Sequence, residues 1–450
     1  MLDFVKTPTL LVMTHRVERN IERMKAKADR SGVRFRPHFK THQSGEMGEY
    51  FRKAGVEAIT VSSVSMARFF ASRGWGDITI AFPVNLREMD DIRALAQDLA
   101  RASPRAGDAT GARAGDATGA RAGDATGARA GGAARKPALR AAHADAPAPK
   151  EPPTGGQFRT DAPALNLVVE SVESARALGR AFSAGGGSGS GGSGGGPAVE
   201  AGVYLKIDAG YGRTGIPAGD DGAAAAVARE LTRSPGLKLR GLLAHAGHTY
   251  SAPSAEAVRG IFRETVEALG ALKGRLAKRG FRDLEISVGD TPGCSILDRF
   301  DGVDEVRPGN FVFYDAKQLG LGSCREEDIA AAVACPVVAR HPERGQVLIY
   351  GGAVHLSKDF HTDPEGRRVC GLVALPAPEG WGPVKPRCRV SSVSQEHGVV
   401  TVDPETMAEL SVGDLLVVIP SHICLAVDLL GEYHSPRGEL LGTVWRRSLP

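Results

Sequence analysis

The chain has 450 residues, a hydrophobic content of 42% and a formal net charge of +4 from 56 basic and 52 acidic side chains. That is enough apolar material for a sizeable core in two ordinary domains, and the near-balanced charge, with no basic stripe interleaved with aromatics, argues against nucleic-acid binding. The N-terminus, MLDFVKTPTLLVMTHRVERN, is too short and interrupted in its apolar run for a signal peptide, and no later window approaches a membrane-spanning length, so a cytoplasmic protein without membrane contact is expected.

In chain order, RVERNIERMKAKADRSG has helical spacing and ends at Gly32; the strand VRFRPHFK and the polar helix QSGEMGEYFRKAG follow. Then come AITVSS, SMARFFASRG, DITIAF, LNLVVE, SVESARALGRAF, VYLKID, a helix around GAAAAVARELTRS, LRGLLAHAG, a helix from Ala255 to about Arg279, LEISVG and VDEVRPGNFVFYD. Short β-rich runs between helical runs imply βα units, and about eight of them fit a closed (β/α)8 barrel, an α/β fold of TIM type, better than an open sheet. Two stretches interrupt the series. GDATGARA occurs three times in tandem within 103–160, and AGGGSGSGGSGGG covers 184–196. Both are too poor in large apolar residues to offset their ordering entropy and are expected to be disordered insertions in surface loops.

After Asp315 the texture changes to strands joined by turns: AAVACPVVARHP, GQVLIYGG, CGLVALP, CRVSSVSQEHG, VVTVDP, VGDLLVVIPSHICLAV and GELLGTVW. The expected architecture is a barrel over residues 1–315, carrying the two insertions, and an antiparallel C-terminal β-domain over 316–450. The six cysteines all lie from Cys294 onwards without a CxxC pair, which suits reduced thiols.

In such a barrel the chemistry gathers where strands end. PHFKTH places Lys40 between His38 and His42 at the end of the first strand, where desolvation and nearby positive charge would lower its pKa and free the amine for Schiff-base formation. A surface lysine is the bland alternative. GDTPGCS, containing Gly289, Asp290 and Thr291, offers backbone N–H groups and a hydroxyl for a phosphate, although most such turns bind nothing. DAGYGRTG places Arg213 among glycines that allow a ligand close, or simply in a surface turn. In PSHICLAV, His422 and Cys424 stand two apart, which on a strand puts both on one face, and an imidazole with a thiolate suits zinc. A buried cysteine beside a satisfied histidine has the same spacing. VSQEHG offers Glu396 and His397 as an acid/base pair or as a polar turn.

These strings, with AHAGHTY, EVRPGNFVFYD and GGAVHLSKD in the same order, resemble the fold-type III pyridoxal-phosphate enzymes, specifically the D-serine dehydratase and D-threonine aldolase group related to alanine racemase. The resemblance covers nearly the whole chain apart from the two insertions. It implies that Lys40 is the lysine bound to pyridoxal 5'-phosphate and that Arg213, His248 and Tyr250 line the cofactor pocket. It also implies Gly289, Asp290 and Thr291 about the phosphate, and His422 and Cys424 as ligands of Zn2+ or another divalent metal. A homodimer is implied, with a small D-amino acid as substrate.

The implied reaction is metal-assisted loss of the β-hydroxyl from a D-amino acid, D-serine giving pyruvate and ammonia, with Lys40 taking the α-proton. Cleavage of D-threonine to glycine and acetaldehyde is the alternative, with His397 or His355 as base for the hydroxyl. An amino-acid racemase or a non-enzymatic cofactor carrier fits less well: a racemase has no use for the metal pair, and a carrier has none for the second domain.

Overall fold

The computed structural model describes residues 2–102, 164–183 and 199–447. The insertions expected at 103–160 and 184–196 lie outside the described residues.

The first strand, β1 (Thr9–Val12), leads into a helix over Thr14–Ser31 whose Val17, Ile21, Met24 and Ala28 recur every three or four residues and are buried. The helix stops at Gly32, which adopts φ +67°, a left-handed conformation that glycine reaches without Cβ strain. The barrel strands are β2 (Arg34–Phe35), β3 (Ala58–Val61), β4 (Asp77–Pro83), β5 (Leu165–Val169), β6 (Ala201–Asp208), β8 (Leu237–Leu243), β9 (Glu285–Val288) and β10 (Glu305–Val306), with a short β7 (Ile216–Pro217) paired beside β6. They run in the order β2-β10-β9-β8-β6-β5-β4-β3, all parallel. The two ends meet where Phe39 N–H donates to Thr60 O at 2.8 Å and Thr60 N–H to Pro37 O at 2.9 Å. The expected (β/α)8 barrel is therefore present. Its first strand is shorter than VRFRPHFK suggests, because Pro37 has no N–H to continue the ladder.

Along that strand successive side chains alternate inward and outward. Phe39 points outward and is packed at 4.9–5.0 Å centroid distances by Phe51, Phe70 and Trp75. Arg36 points inward, where Nε donates to Glu305 Oε2 at 2.6 Å and the guanidinium grips Asp77 at 2.6 and 2.9 Å. Glu285 accepts from Tyr204 Oη at 2.6 Å and from Arg240 at 2.7 Å. The barrel interior beneath the mouth is thus filled by a paired ionic network, which burial permits only because each charge meets an opposite one.

The second half is built from β11 (Ala331–His341), β12 (Gln346–Tyr350), a two-stranded hairpin of β13 (His361–Thr362) and β14 (Arg368–Val369), β15 (Gly371–Ala377), β16 (Gly380–Val393), β17 (His397–Thr401), β18 (Leu415–Pro420), β19 (Glu432–His434) and β20 (Leu440–Thr443). The main sheet has the order β12-β17-β16-β15-β18-β11-β1-β19-β20, and β12 also pairs with β11, which curls it on itself. β1 carries no strong sequence signal, and β16 begins eight residues before the CRVSSV run that marks it. β1 pairs antiparallel with β11, Leu10 opposite Val333, so the N-terminal strand is stitched into the C-terminal sheet before the chain enters the barrel. β16 runs through Pro383 and Pro386, and its ladder accommodates them with register shifts.

One expected element differs in kind. VGDLLVVIPSHICLAV does not continue as strand: β18 ends at Pro420, and a helix runs over Ile423–Leu430 with His422 as its extended N-cap residue. The two metal-ligand candidates are brought together by a strand-to-helix corner and not by the pleat of a strand.

Candidate active site

The barrel mouth and the β-domain enclose a cavity of about 660 Å³. Lys40, Arg213, Tyr250, Gly289, Asp290, His422 and Cys424 all line it, so most of the residues singled out in the sequence converge on one space.

Lys40 reaches the cavity from the turn that follows the strand, closed by Gln43 N–H donating to Phe39 O at 2.8 Å, while Phe39 is locked in the aromatic cluster behind. Solvent touches Lys40 through the mouth, but most of its surroundings are protein. Burial lowers its pKa from the ordinary 10.5, Arg213 and Arg307 push the same way, and Cys424 opposes them. His42, the other flank of the motif, turns away. Its ring stacks on Phe51 at 5.3 Å within the core, and burial pushes its pKa down to about 3.

Several groups at the mouth gave no strong signal of their own in the sequence. Arg307 is buried and donates to Ala244 O at 2.6 Å and Ser287 Oγ at 2.7 Å. Lys206, near the end of β6, has its pKa lowered to about 8 by burial and by the Arg307 and Arg213 charges. His245 bonds through Nδ1 to the carbonyl of Gly289; burial, with Lys40 beside it, lowers its pKa to about 3. Within AHAGHTY it is His245 that lines the cavity, whereas His248 stacks on Tyr211 at 6.0 Å just behind the lining. A short 3-10 turn over Gly247–Ser251 carries His248, so the histidine expected at the pocket stands beside the lining and His245 within it.

The GDTPGCS turn is partly self-satisfied. Thr291 N–H donates to Tyr250 Oη at 3.2 Å and Gly293 N–H to Asp290 Oδ1 at 2.6 Å, so these amides are not free for a ligand. Thr291 is fully buried behind the lining against Tyr250, and what remains at the cavity is the proton of the Tyr250 phenol, whose oxygen is already accepting. Burial pushes Asp290 up to about 6. A Cβ at Gly289 would lie 2.8 Å from Arg307, so only glycine lets the backbone pass this close to that guanidinium-bearing strand.

At the β-domain side His422 Nδ1 lies 3.4 Å from Asp315 Oδ2, and Cys424 Sγ lies 3.4 Å from Thr41 Oγ1. Burial alone would raise the Cys424 thiol, but His422 beside it outweighs burial and brings its pKa below the ordinary value. An imidazole and an ionisable thiol facing one cavity are a donor set for a borderline-soft divalent ion such as zinc. Among the described residues no third His, Cys, Asp or Glu completes a closed metal group, so an ion held here keeps positions open.

His397 is not part of this arrangement. SQEH forms the exposed turn between β16 and β17, closed by Ser394 N–H donating to His397 O at 2.8 Å, and His397 stands outside the cavity lining. His355 is also outside, 3.8 Å from Glu396. This placement gives the acid/base role expected for His397 no support and fits the polar turn that its sequence context allowed as the alternative.

The fold and cavity define an enzyme of alanine racemase-like architecture. The profile of the alanine racemase N-terminal domain matches residues 12–317 and that of the serine dehydratase domain residues 330–435, and the chain belongs to this family. Enzymes of the family depend on pyridoxal phosphate. Among curated relatives, D-threo-3-hydroxyaspartate dehydratase of Delftia sp. is 26% identical over 98% of this chain and 97% of its own. D-serine dehydratase of Dictyostelium discoideum is 24% identical over 96% and 94%, and D-threonine aldolase of Arthrobacter sp. 22% over 99% and 92%. The solved Delftia dehydratase superposes with a TM-score of 0.73 over 98% of both chains at 24% identity. Its variants include a histidine-to-alanine change and, two positions further on, a cysteine-to-alanine change solved in the metal-free form.

Proposed function

We propose that this pyridoxal-phosphate-dependent lyase of D-amino acids is a metal-assisted dehydratase of β-hydroxy D-amino acids, D-serine being the simplest substrate. The observation that carries the reading is that Lys40 and the His422–Cys424 pair line the same cavity. When bound, the cofactor supplies an electron sink for negative charge at Cα and a divalent metal supplies a Lewis acid at the β-hydroxyl.

The residues present fit both groups. The Tyr250 phenol and the close backbone at Gly289 would hold a phosphate, with Asp290 and Thr291 shaping the turn behind them. Arg213 adds a cation at the mouth, and His248 backs Tyr211 from behind. Lys40, with its lowered pKa, is the amine that binds the cofactor and the base that takes the α-proton. His422 and Cys424 would hold Zn2+ or a similar divalent ion, and Asp315 orients the imidazole.

Dehydration is favoured over aldol cleavage because the two relatives named dehydratases are 26% and 24% identical to this chain, against 22% for the one named an aldolase. Proton NMR of products from D-threonine, with cofactor and zinc, beside a chelator-treated control, tests the reading. Chelator-sensitive 2-oxobutanoate and ammonia are expected; glycine with acetaldehyde would establish the aldolase instead.

A homodimer belongs to the same proposal. Phe82 and Phe360 line the cavity and are 60% and 47% exposed, apolar surface at the mouth that a second subunit would cover. Among the described residues no helix is long and apolar enough to cross a membrane.

A further inference from the structure

Lys317 follows Asp315 by two positions on the short helix Ala316–Gly320, and its half-buried side chain lines the cavity with Ser421, His422 and Phe360. Lys40 is taken by the cofactor in the reading above, and three further cations of the cavity are engaged with protein groups. Arg307 donates to Ala244 O and Ser287 Oγ, Lys206 Nζ donates to Ile207 O at 3.2 Å, and Arg213 lies 5.1 Å over the Tyr211 ring. The Lys317 ammonium makes no hydrogen bond or ion pair among the described residues, although its charge reaches His361, which bonds Ser421 at 3.0 Å. Asp359 lines the same wall but forms no ion pair with it. Asp315, the nearest carboxylate in sequence, is occupied by Asn310 at 2.5 Å and by the backbone N–H groups of Gln318 and Ile423.

An ammonium left unneutralised in a partly desolvated wall favours an incoming anion. Its position specifies where on the substrate that anion sits. The α-carboxylate and amine of any amino acid belong near the Lys40 end, whereas the His422–Cys424 end receives the β-hydroxyl, so a cation beside His422 faces the other substituent of Cβ. We propose that Lys317 is a specificity-determining residue that binds a second carboxylate carried on Cβ, and that the enzyme prefers a β-hydroxy dicarboxylic D-amino acid to D-serine. The inference rests on the dehydratase reading above.

The test compares wild-type holoenzyme with Lys317→Gln and Lys317→Arg, using D-threo-3-hydroxyaspartate and D-serine as substrates. For a charge-assisted contact, the ratio of kcat/KM for the dicarboxylate over D-serine should fall about 10- to 100-fold in Lys317→Gln, mainly through KM, and recover in Lys317→Arg. A ratio that stays at the wild-type value, whether both substrates are lost together or neither is affected, overturns the assignment. Binding of D-aspartate against D-alanine, followed by cofactor absorbance, separates this from the lyase reading, since neither ligand has a hydroxyl to eliminate. A D-aspartate preference that disappears in Lys317→Gln supports the second-carboxylate site even if no substrate is dehydrated, and no such preference in the wild type overturns it.

Discussion

Asp315, at the end of the barrel segment, and His422, in the β-domain, meet with Oδ2 3.4 Å from Nδ1. The carboxylate sits at the end of the barrel segment and caps the helix Ala316–Gly320, while the imidazole stands at the corner where β18 gives way to the last long helix. A carboxylate on Nδ1 selects the tautomer that leaves Nε2 for a metal. Asp315→Asn should keep the fold and weaken metal binding by about 10- to 100-fold, read by competition with a chromogenic chelator. Unchanged affinity would remove Asp315 from the metal site.

Cys424→Ala should leave cofactor absorbance intact and abolish the metal-dependent part of the elimination. The thiol is one half of the His422–Cys424 pair proposed to hold the ion, so its loss leaves the imidazole without its partner ligand. Turnover that continues at the wild-type rate in metal-free buffer would refute the metal's role in this chain.

Lys40→Ala should abolish both the yellow absorbance and activity. The sign of a second effect follows from the charges around the amine. Arg213 is one of two guanidinium groups that lower its pKa, so Arg213→Gln removes a cation and should raise that pKa towards 10.5. Reloading of apoenzyme with cofactor, which needs the neutral amine, should then shift to higher pH in the variant. A shift to lower pH contradicts the electrostatic account.

Glu305 shows how the barrel interior depends on pH. Burial alone would raise its pKa, but Arg36 and Arg34 outweigh burial and hold it at about 2, against an ordinary 4.5. A carboxylate depressed in the folded state contributes stability that is fully present above its unfolded pKa and is lost as pH falls from about 4.5 towards 2. Glu305→Gln leaves Arg36 short of a partner and should cost about 3–5 kcal/mol in denaturant unfolding at pH 7. The difference between variant and wild type should shrink in acid; a constant difference down to pH 2 would be inconsistent with the ionic pairing.

If a second subunit covers the cavity mouth, Phe82→Asp together with Phe360→Asp should slow association and shift sedimentation towards a monomer. Retention of the wild-type sedimentation coefficient would place any dimer contact elsewhere.

Much of this was readable from local patterns. Helical spacing in RVERNIERMKAKADRSG and its closing glycine mark the first helix to within a residue or two, because amphipathic periodicity and a left-handed C-cap are local properties. Alternating strand and helix signals gave the barrel, and residue types at strand ends marked Lys40, Arg213, Tyr250 and Asp290, all of which line the cavity. β1 stayed hidden because four apolar residues, TLLV, acquire strand character only when β11 lies alongside them. The HIC corner was misread as strand because a short apolar run fits either period, and only the break at Pro420 and the cap at His422 decide it.

What the sequence by itself determined is the set of chemical groups and the order of elements that carry them, since periodicity, turn residues and strand-end motifs act over a few neighbours. Tertiary structure alone decided which of those groups share a cavity. It turned His42, His248 and His397 away, brought in His245, Arg307 and Lys317, and set Asp315 against His422 across more than a hundred residues of chain. Such choices depend on packing between segments distant in sequence, where one helix cap or one buried aromatic ring settles the direction in which a side chain points.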